Sequence, residues 1–227
     1  MSALKSNIGV FAAFTIIGAW LVSIIFLMDM QLSFSNPMIY LMILVQMHLY
    51  TGLFITAHDA MHGTVSSNKL LNNVIGQLCT ILYACFPFKK LYIKHHEHHA
   101  HVHTDNDPDY HQGSFIVWYF NFIREYISWW QIVLMAIIFN ILKLWVAESN
   151  LLLFWVLPSL LSTLQLFYFG TWVPHHGEHD NEYQSRSQGK NHIVAFLSCY
   201  FFGYHYEHHD SPGTPWWRLW KLKEANK

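Results

Sequence analysis

The sequence predicts an all-α integral membrane protein with four transmembrane helices in two hairpins and a cytoplasmic, histidine-rich cap. Three observations predict it. The 227-residue chain is 53% hydrophobic and 17% aromatic but only 12% charged, about half the charge of an ordinary soluble domain. Four apolar stretches, Ile8–Met28, Met38–Ala57, Tyr126–Ala147 and Leu151–Val173, are long enough to cross a hydrocarbon layer of about 30 Å at about 1.5 Å per residue. All the histidines but His48 lie outside the apolar stretches, most of them in clusters; Lys94–His111 alone carries His95, His96, His98, His99, His101, His103 and His111. A soluble helical core is the poorer reading, because Ile8–Met28 is apolar on every face. Residues 1–227 read as one membrane-embedded domain, without internal repeat, low-complexity tract or interdomain linker.

Taken in order, Ile8–Met28 exceeds the apolar core of a signal peptide. Only Lys5 flanks it and no small-residue cleavage pattern precedes Asp29, so it is expected to remain as the first span. Asp29–Pro37, with its Asn36-Pro37 turn, joins it to Met38–Ala57, which delivers His58. Leu70–Phe88 is interrupted by Asn72, Asn73 and Gln77 and stopped by Pro87, the pattern of a re-entrant or protein-packed helix. Phe115–Phe122 reads as interfacial. Tyr126–Ala147 and Leu151–Val173 are separated only by Glu148, Ser149 and Asn150, which forces a second hairpin, with a kink expected at Pro158. Ile193–Tyr204 is too short to span, and Pro215–Lys221 (PWWRLWK) has the makeup of an interfacial anchor.

If Leu70–Phe88 does not cross, every histidine cluster emerges on one face. Twelve of the 13 lysines and arginines fall on that face and only Lys143 towards the other, so the positive-inside rule makes it cytoplasmic. Cys79, Cys85 and Cys199 lie in apolar surroundings without disulfide or metal spacing. The net charge of −1 gives no sign of a nucleic-acid partner.

Three histidine boxes stand out. His58 and His62, four apart, project from one face of a helix about a turn apart. His95, His98 and His99 form H-x-x-H-H, and His205, His208 and His209 repeat it. One tetrahedral ion is saturated by four ligands, so eight boxed imidazoles suggest two metals. An all-nitrogen set suits iron, copper, zinc or nickel alike. Solvated loop histidines are the bland alternative, and they give no reason for three such boxes on one face.

Four segments carry a resemblance: GLFITAHDAMHG (Gly52–Gly63), Lys94 through His95, His98, His99 and His101 to Thr104-Asp105-x-Asp107-Pro108-Asp109, FGTWVPH (Phe169–His175), and GYHYEHH followed by PWWRL (Gly203–Leu219). Together they resemble the bacterial β-carotene 4-ketolases of the membrane fatty-acid desaturase and hydroxylase superfamily, over about Leu49 to Leu219. The resemblance implies a non-haem di-iron oxygenase with two iron ions, dioxygen as co-substrate and externally supplied electrons. It implies oxidation of the 4-position of a β-ionone ring to a ketone by two hydroxylations and loss of water. The products would be echinenone and canthaxanthin, with astaxanthin from hydroxylated rings. By position, the resemblance makes His58, His62, His95, His98, His99, His205, His208 and His209 the iron ligands, and His175 the additional histidine after the last span. The chain departs from the pattern at His176, where arginine is usual, in a shortened His179–Arg186 segment, and at Asp210-Ser211 after the last box.

Ligating imidazoles need a carboxylate or carbonyl on their other N–H. Asp59, Glu97, Asp105, Asp109 and Glu207 are the candidates for that second layer, followed by Glu178 and Asp180. His101, His103 and His111 read as outer or surface groups, and His48 as an interhelical hydrogen-bonding residue. A lipid-dissolved carotenoid would enter from the bilayer, past aromatics such as Phe86, Phe88, Trp118, Tyr119, Trp172 and Tyr204. A ferredoxin-type donor is expected, because the chain has no flavin, nicotinamide, haem or cysteine-cluster signature. The expected location is a bacterial inner membrane, in contact with membrane lipid. The rivals are a fatty-acid desaturase or carotenoid hydroxylase, which would share the boxes, and a metal transporter or storage protein. The transporter reading leaves unexplained why no polar path crosses the spans.

Overall fold

Asn36 sets the first hairpin: its side chain accepts the Met38 N–H at 3.0 Å, and Pro37 takes the first helical position, where its missing N–H costs nothing. In the computed structural model, which describes residues 2–226, this starts α2 (Pro37–Met61), antiparallel to α1 (Ser2–Met28). The side chain of Lys5 and all of Lys227, both counted above on the histidine face, lie outside the described residues. Contacts run in opposite order along the pair: Ser23 bonds Gln46 at 2.8 Å, Trp20 packs edge-on against Tyr50, and the Gly9 position meets Val65.

Helix α3 (Lys69–Ala84), capped by Asn68, folds back along α2, where Asn72 donates to the Ala60 carbonyl at 2.7 Å. It ends at Cys85 in a left-handed turn, and α4 (Phe88–His101) departs at 100°. The helices α5 (Phe115–Tyr126) and α6 (Trp129–Leu142) meet at 85°, and α7 (Glu148–His175) follows as one long rod. Short helices α8 (His192–Cys199), α9 (His205–Asp210) and α10 (Trp216–Ala225) complete the chain, and no strand occurs among the described residues.

Three helices are long and apolar enough to cross a membrane: α1 from Asn7, α2 and α7, with 22, 25 and 28 residues. The number reaches five if each bent pair counts as one span. The expected third span, Tyr126–Ala147, holds the shorter helix α6, set off from α5 by a bend at Ile127 and Ser128. Lys90 reaches into the elbow between α5 and α6, donating to the Tyr126 carbonyl at 2.7 Å and, more weakly, to Ile127 and Ser128. That cation ends α5 by taking its last carbonyls, and the 14 residues of α6 make only about 21 Å of helix. An apolar run cannot announce such a break, because the residue responsible lies elsewhere in the chain. A hairpin between α6 and α7 still forms, with Lys143 paired to Glu148 at 2.9 Å.

The expected kink at Pro158 takes the form of a π-helical turn, Leu152–Val156, just before it. A second π turn, Tyr168–Trp172, precedes Pro174. Each proline lacks the N–H its helix needs, and a widened turn absorbs the loss without breaking the rod. At the end away from the histidines, Asn150 on α7 donates to the Leu27 and Met30 carbonyls, at 2.9 and 2.8 Å, and satisfies the exposed end of α1. Large apolar side chains project outward along these helices, among them Phe11, Val22, Ile25, Ile132 and Leu160. Apolar surface on that scale suits lipid better than water.

Candidate metal centre

The second and fourth helices, the end of α7 and the short α9 bring four histidine-bearing segments to one end of the bundle. His58 and His62 close α2, His95, His98 and His99 lie on α4, His175 ends α7, and His205, His208 and His209 make up α9. Their nitrogens fall into two groups whose ligand atoms all lie within 4.8 Å of one another. One group is His58, His62, His95 and His208, and the other is His98, His175, His205 and His209. All eight are buried except His62, which is partly exposed. His99 sits between the groups, stacked on His209 at 4.2 Å with its Nε2 3.0 Å from that of His208. First and third boxes therefore meet directly: the His58 and His208 rings are 4.6 Å apart.

Hydrogen bonding alone cannot satisfy this arrangement. His98 places Nδ1 2.8 Å from Asp107 Oδ1, and His175 places Nδ1 2.9 Å from the Gln184 carbonyl. Each acceptor fixes the proton on Nδ1 and leaves Nε2 as a bare lone pair pointing inward. His98 Nε2 faces His209 Nε2 at 3.2 Å, His209 faces His205 at 2.9 Å, and His205 faces His175 at 2.9 Å. An imidazole nitrogen has one in-plane site, holding either a proton or a lone pair. No assignment of neutral rings satisfies all three contacts: either two N–H groups or two lone pairs must collide. In the other group, His62 and His95 oppose Nε2 atoms at 2.6 Å, and buried His58 Nε2 has no partner. A cation in each group turns every one of these conflicts into a bond, so the residues present fit a pair of metal ions.

Electrostatics supports lone pairs facing inward. Burial first, and neighbouring imidazoles second, hold His205, His208 and His209 well below the usual histidine value, and His62 at about 4. Asp107 moves the other way from what its burial favours: the hydrogen bond from His98 and those from the His103 and Asp109 backbones take its carboxyl below the usual range.

A cavity of about 720 Å³ ends at this cluster. Its wall is mostly apolar, running from Phe139, Met135 and Ala136 on α6, past Tyr119, Phe122 and Phe86, to His58, His95, His98 and His205. Members of both tetrads thus form its inner end.

The sequence model of the family described as fatty acid desaturase matches residues 35–145 and 115–227. The chain belongs to the fatty acid desaturase family. A β-carotene ketolase of a Paracoccus strain is 40% identical over 226 residues, covering 96% of this chain and 93% of the relative. A second Paracoccus β-carotene ketolase is 44% identical over 177 residues, 75% of this chain and 73% of the relative. A zeaxanthin 4-ketolase of Chlamydomonas reinhardtii is 43% identical over 186 residues, 78% of this chain and 42% of that one. No solved structure matches.

In this desaturase-family chain the carboxylates are distributed differently from the expectation. Among the described residues Asp107, not singled out from sequence, is the carboxylate that meets a histidine of the cluster at hydrogen-bond distance. Asp105 is exposed, and Glu97 pairs with Lys94 at 3.5 Å on the surface. Asp109 accepts the Tyr126 hydroxyl. Glu207 accepts from Ser187 and from Lys223, at 2.5 and 3.1 Å, and so ties α9 to α10. Asp59 lies 3.8 Å from His58 Nδ1, beyond a hydrogen bond, and accepts the Trp216 N–H at 3.1 Å. Glu178 and Asp180 are exposed. His103 Nε2 donates to the His175 carbonyl at 2.7 Å, whereas His101 is exposed and His111 lies on a separate polar hollow. His48 stacks on Tyr200 at 4.3 Å and leaves Nε2 unpaired, so its interhelical contact is aromatic and not the expected hydrogen bond. Of the six candidate aromatics, Phe86 and Tyr119 line the cavity; Trp118 and Trp172 pack behind it, Phe88 fills the space at Gly76, and Tyr204 meets His192.

Proposed function

We propose that this protein is a β-carotene 4-ketolase, an oxidoreductase that converts the 4-position of a β-ionone ring to a ketone with dioxygen. The observation that carries the reading is the apolar cavity whose inner end is made by both histidine tetrads. Likeness to ketolases extends over 96% of the chain, whereas an omega-3 fatty acid desaturase of Glycine max aligns over only 28% of it.

His58, His62, His95 and His208 would hold one iron and His98, His175, His205 and His209 the other, with His99 between them. Two irons supply the activation of dioxygen and the one-electron steps. The protein's own part is positional. Asp107 and the Gln184 carbonyl orient two imidazoles, and the apolar wall excludes water and admits a ring end-on. A cavity of about 720 Å³ takes one end of a forty-carbon hydrocarbon, and the remainder of the substrate stays in lipid. Two successive hydroxylations at one carbon give a geminal diol, which loses water to the ketone. β-Carotene would yield echinenone and then canthaxanthin, and hydroxylated rings would yield astaxanthin.

We further assign the chain four membrane crossings, with the histidine end cytoplasmic in a bacterial inner membrane, because Lys69, Lys89, Lys90, Lys94 and Arg124 flank the cluster and Lys143 lies at the far end. Electrons would come from a ferredoxin-type donor on that side.

Expression in a β-carotene-producing bacterial host tests the reading. Conversion of yellow β-carotene to red echinenone and canthaxanthin, resolved by chromatography, is the expected result. Unchanged pigment, or ring-hydroxylated products without ketone, contradicts it.

A further inference from the structure

A polar groove of about 220 Å³ lies outside the apolar cavity, bordered by Lys94, Asp105, Asp107, Asn121 and Glu125. Among the described residues, two border both the groove and the cavity: Phe122 and Asp109. Asp109 is also the one carboxyl on the cavity wall. Its backbone is pinned on both sides, with its N–H donating to Asp107 Oδ1 at 2.9 Å and its carbonyl accepting Trp118 Nε1 at 2.6 Å. Its carboxyl accepts the hydroxyl of Tyr126, another cavity residue, whose backbone carbonyl is held by Lys90.

On the ketolase reading, on which this inference rests, each hydroxylation is R–H + O₂ + 2e⁻ + 2H⁺ → R–OH + H₂O. One C–H bond and the O–O bond break, a C–O bond forms, a one-electron donor supplies both electrons, and two protons leave in the water. Those protons must reach a place sealed from solvent by apolar side chains. The histidines cannot bring them, since their inward nitrogens would be ligands and the outward N–H groups of His98 and His175 are committed to Asp107 and Gln184.

We propose that Asp109, backed by Tyr126, relays protons from the outer groove to the inner end of the cavity. Asp107 and His98 face it from the cluster side, and Lys94 and Glu125 from the groove. Its place on the border of both the groove and the cavity, with the Tyr126 hydroxyl donating to it, makes it a carboxyl within reach of both ends of such a path.

The test compares iron-loaded wild-type protein with Asp109→Asn, Asp109→Glu and Tyr126→Phe under saturating reductant. Iron per chain, oxygenated product per dioxygen consumed and hydrogen peroxide released are measured. Asp109→Asn should keep its iron, form product at least about tenfold more slowly and divert dioxygen to peroxide; Asp109→Glu should restore most of the coupling. Wild-type rate and coupling in Asp109→Asn overturn the proposal. So does loss of iron, which would make Asp109 a positioning residue for the histidines. A wild-type protein that gives hydroxylated rings in place of ketone overturns the ketolase reading, while product per dioxygen in the variants still decides the role of Asp109.

Discussion

His98 Nδ1 and Asp107 Oδ1 lie 2.8 Å apart, in side chains each 1% exposed. Asp107 also accepts the backbone N–H groups of His103 and Asp109, so a single carboxylate shapes the turn after α4 and orients a histidine of the cluster. Asp107→Asn keeps the size of the side chain but leaves one acceptor oxygen in place of two, so it loses either the His103 N–H or the His98 and Asp109 contacts and weakens the orientation. Outer partners of this kind are worth about 10- to 100-fold in metal affinity. Iron analysis of the purified variant should show the second group depleted at iron concentrations that fill the wild type, with the helical circular dichroism unchanged.

His98→Ala and His208→Ala remove one imidazole from different tetrads. Each should abolish ketone formation and lower the iron content by at least one ion per chain. Full iron and full activity in either variant would remove that residue from the centre.

The metal-free protein should be sensitive to acid. The folded values of His205, His208 and His209 lie well below 6.5 and that of His62 is about 4, while the unfolded chain binds protons near 6.5. The unfolded state therefore holds more protons below that pH. Stability is complete above about pH 6.5 and is lost between there and about pH 4, at roughly 1.4 kcal/mol per pH unit for each histidine. Melting of chelator-treated protein in detergent should be level between pH 7 and 8 and fall steeply below 6. A level profile down to pH 5 contradicts the buried, neutral cluster.

Gly170 has no room for a side chain: a Cβ there would lie 2.0 Å from the Phe202 ring, which packs edge-on against His58. Gly170→Ala should displace Phe202 at a cost of about 1–3 kcal/mol. Both a lower melting temperature and reduced iron retention are expected, measured on the same preparation.

Ala136 lies on the α6 wall of the cavity, away from the histidines. Ala136→Trp should fill the substrate path, cutting ketone yield about tenfold or more while iron content stays at the wild-type level. Equal loss of iron would show that the substitution disturbs the fold and does not merely block the cavity.

The histidines were legible in the sequence because metal-ligand chemistry is local: H-x-x-x-H and H-x-x-H-H each fit one helical face, and α2, α4 and α9 carry them so. The carboxylates were less legible. Asp105, Asp107 and Asp109 alternate through a turn around Pro108, and which of them points inward depends on how that turn packs, with Asp107 gaining two backbone N–H groups that its neighbours do not. The start of the third apolar stretch was hidden for a similar reason. Its apolar pattern continues through Ile127 and Ser128, and the break is imposed by Lys90 from α4. Asp109 pairing with Tyr126, 17 residues on, is likewise a product of that elbow.

Iron per polypeptide in protein purified from an iron-replete host tests the account most directly. Two irons per chain are predicted, one for each tetrad. One iron or none, in folded protein that still produces ketone, would contradict it.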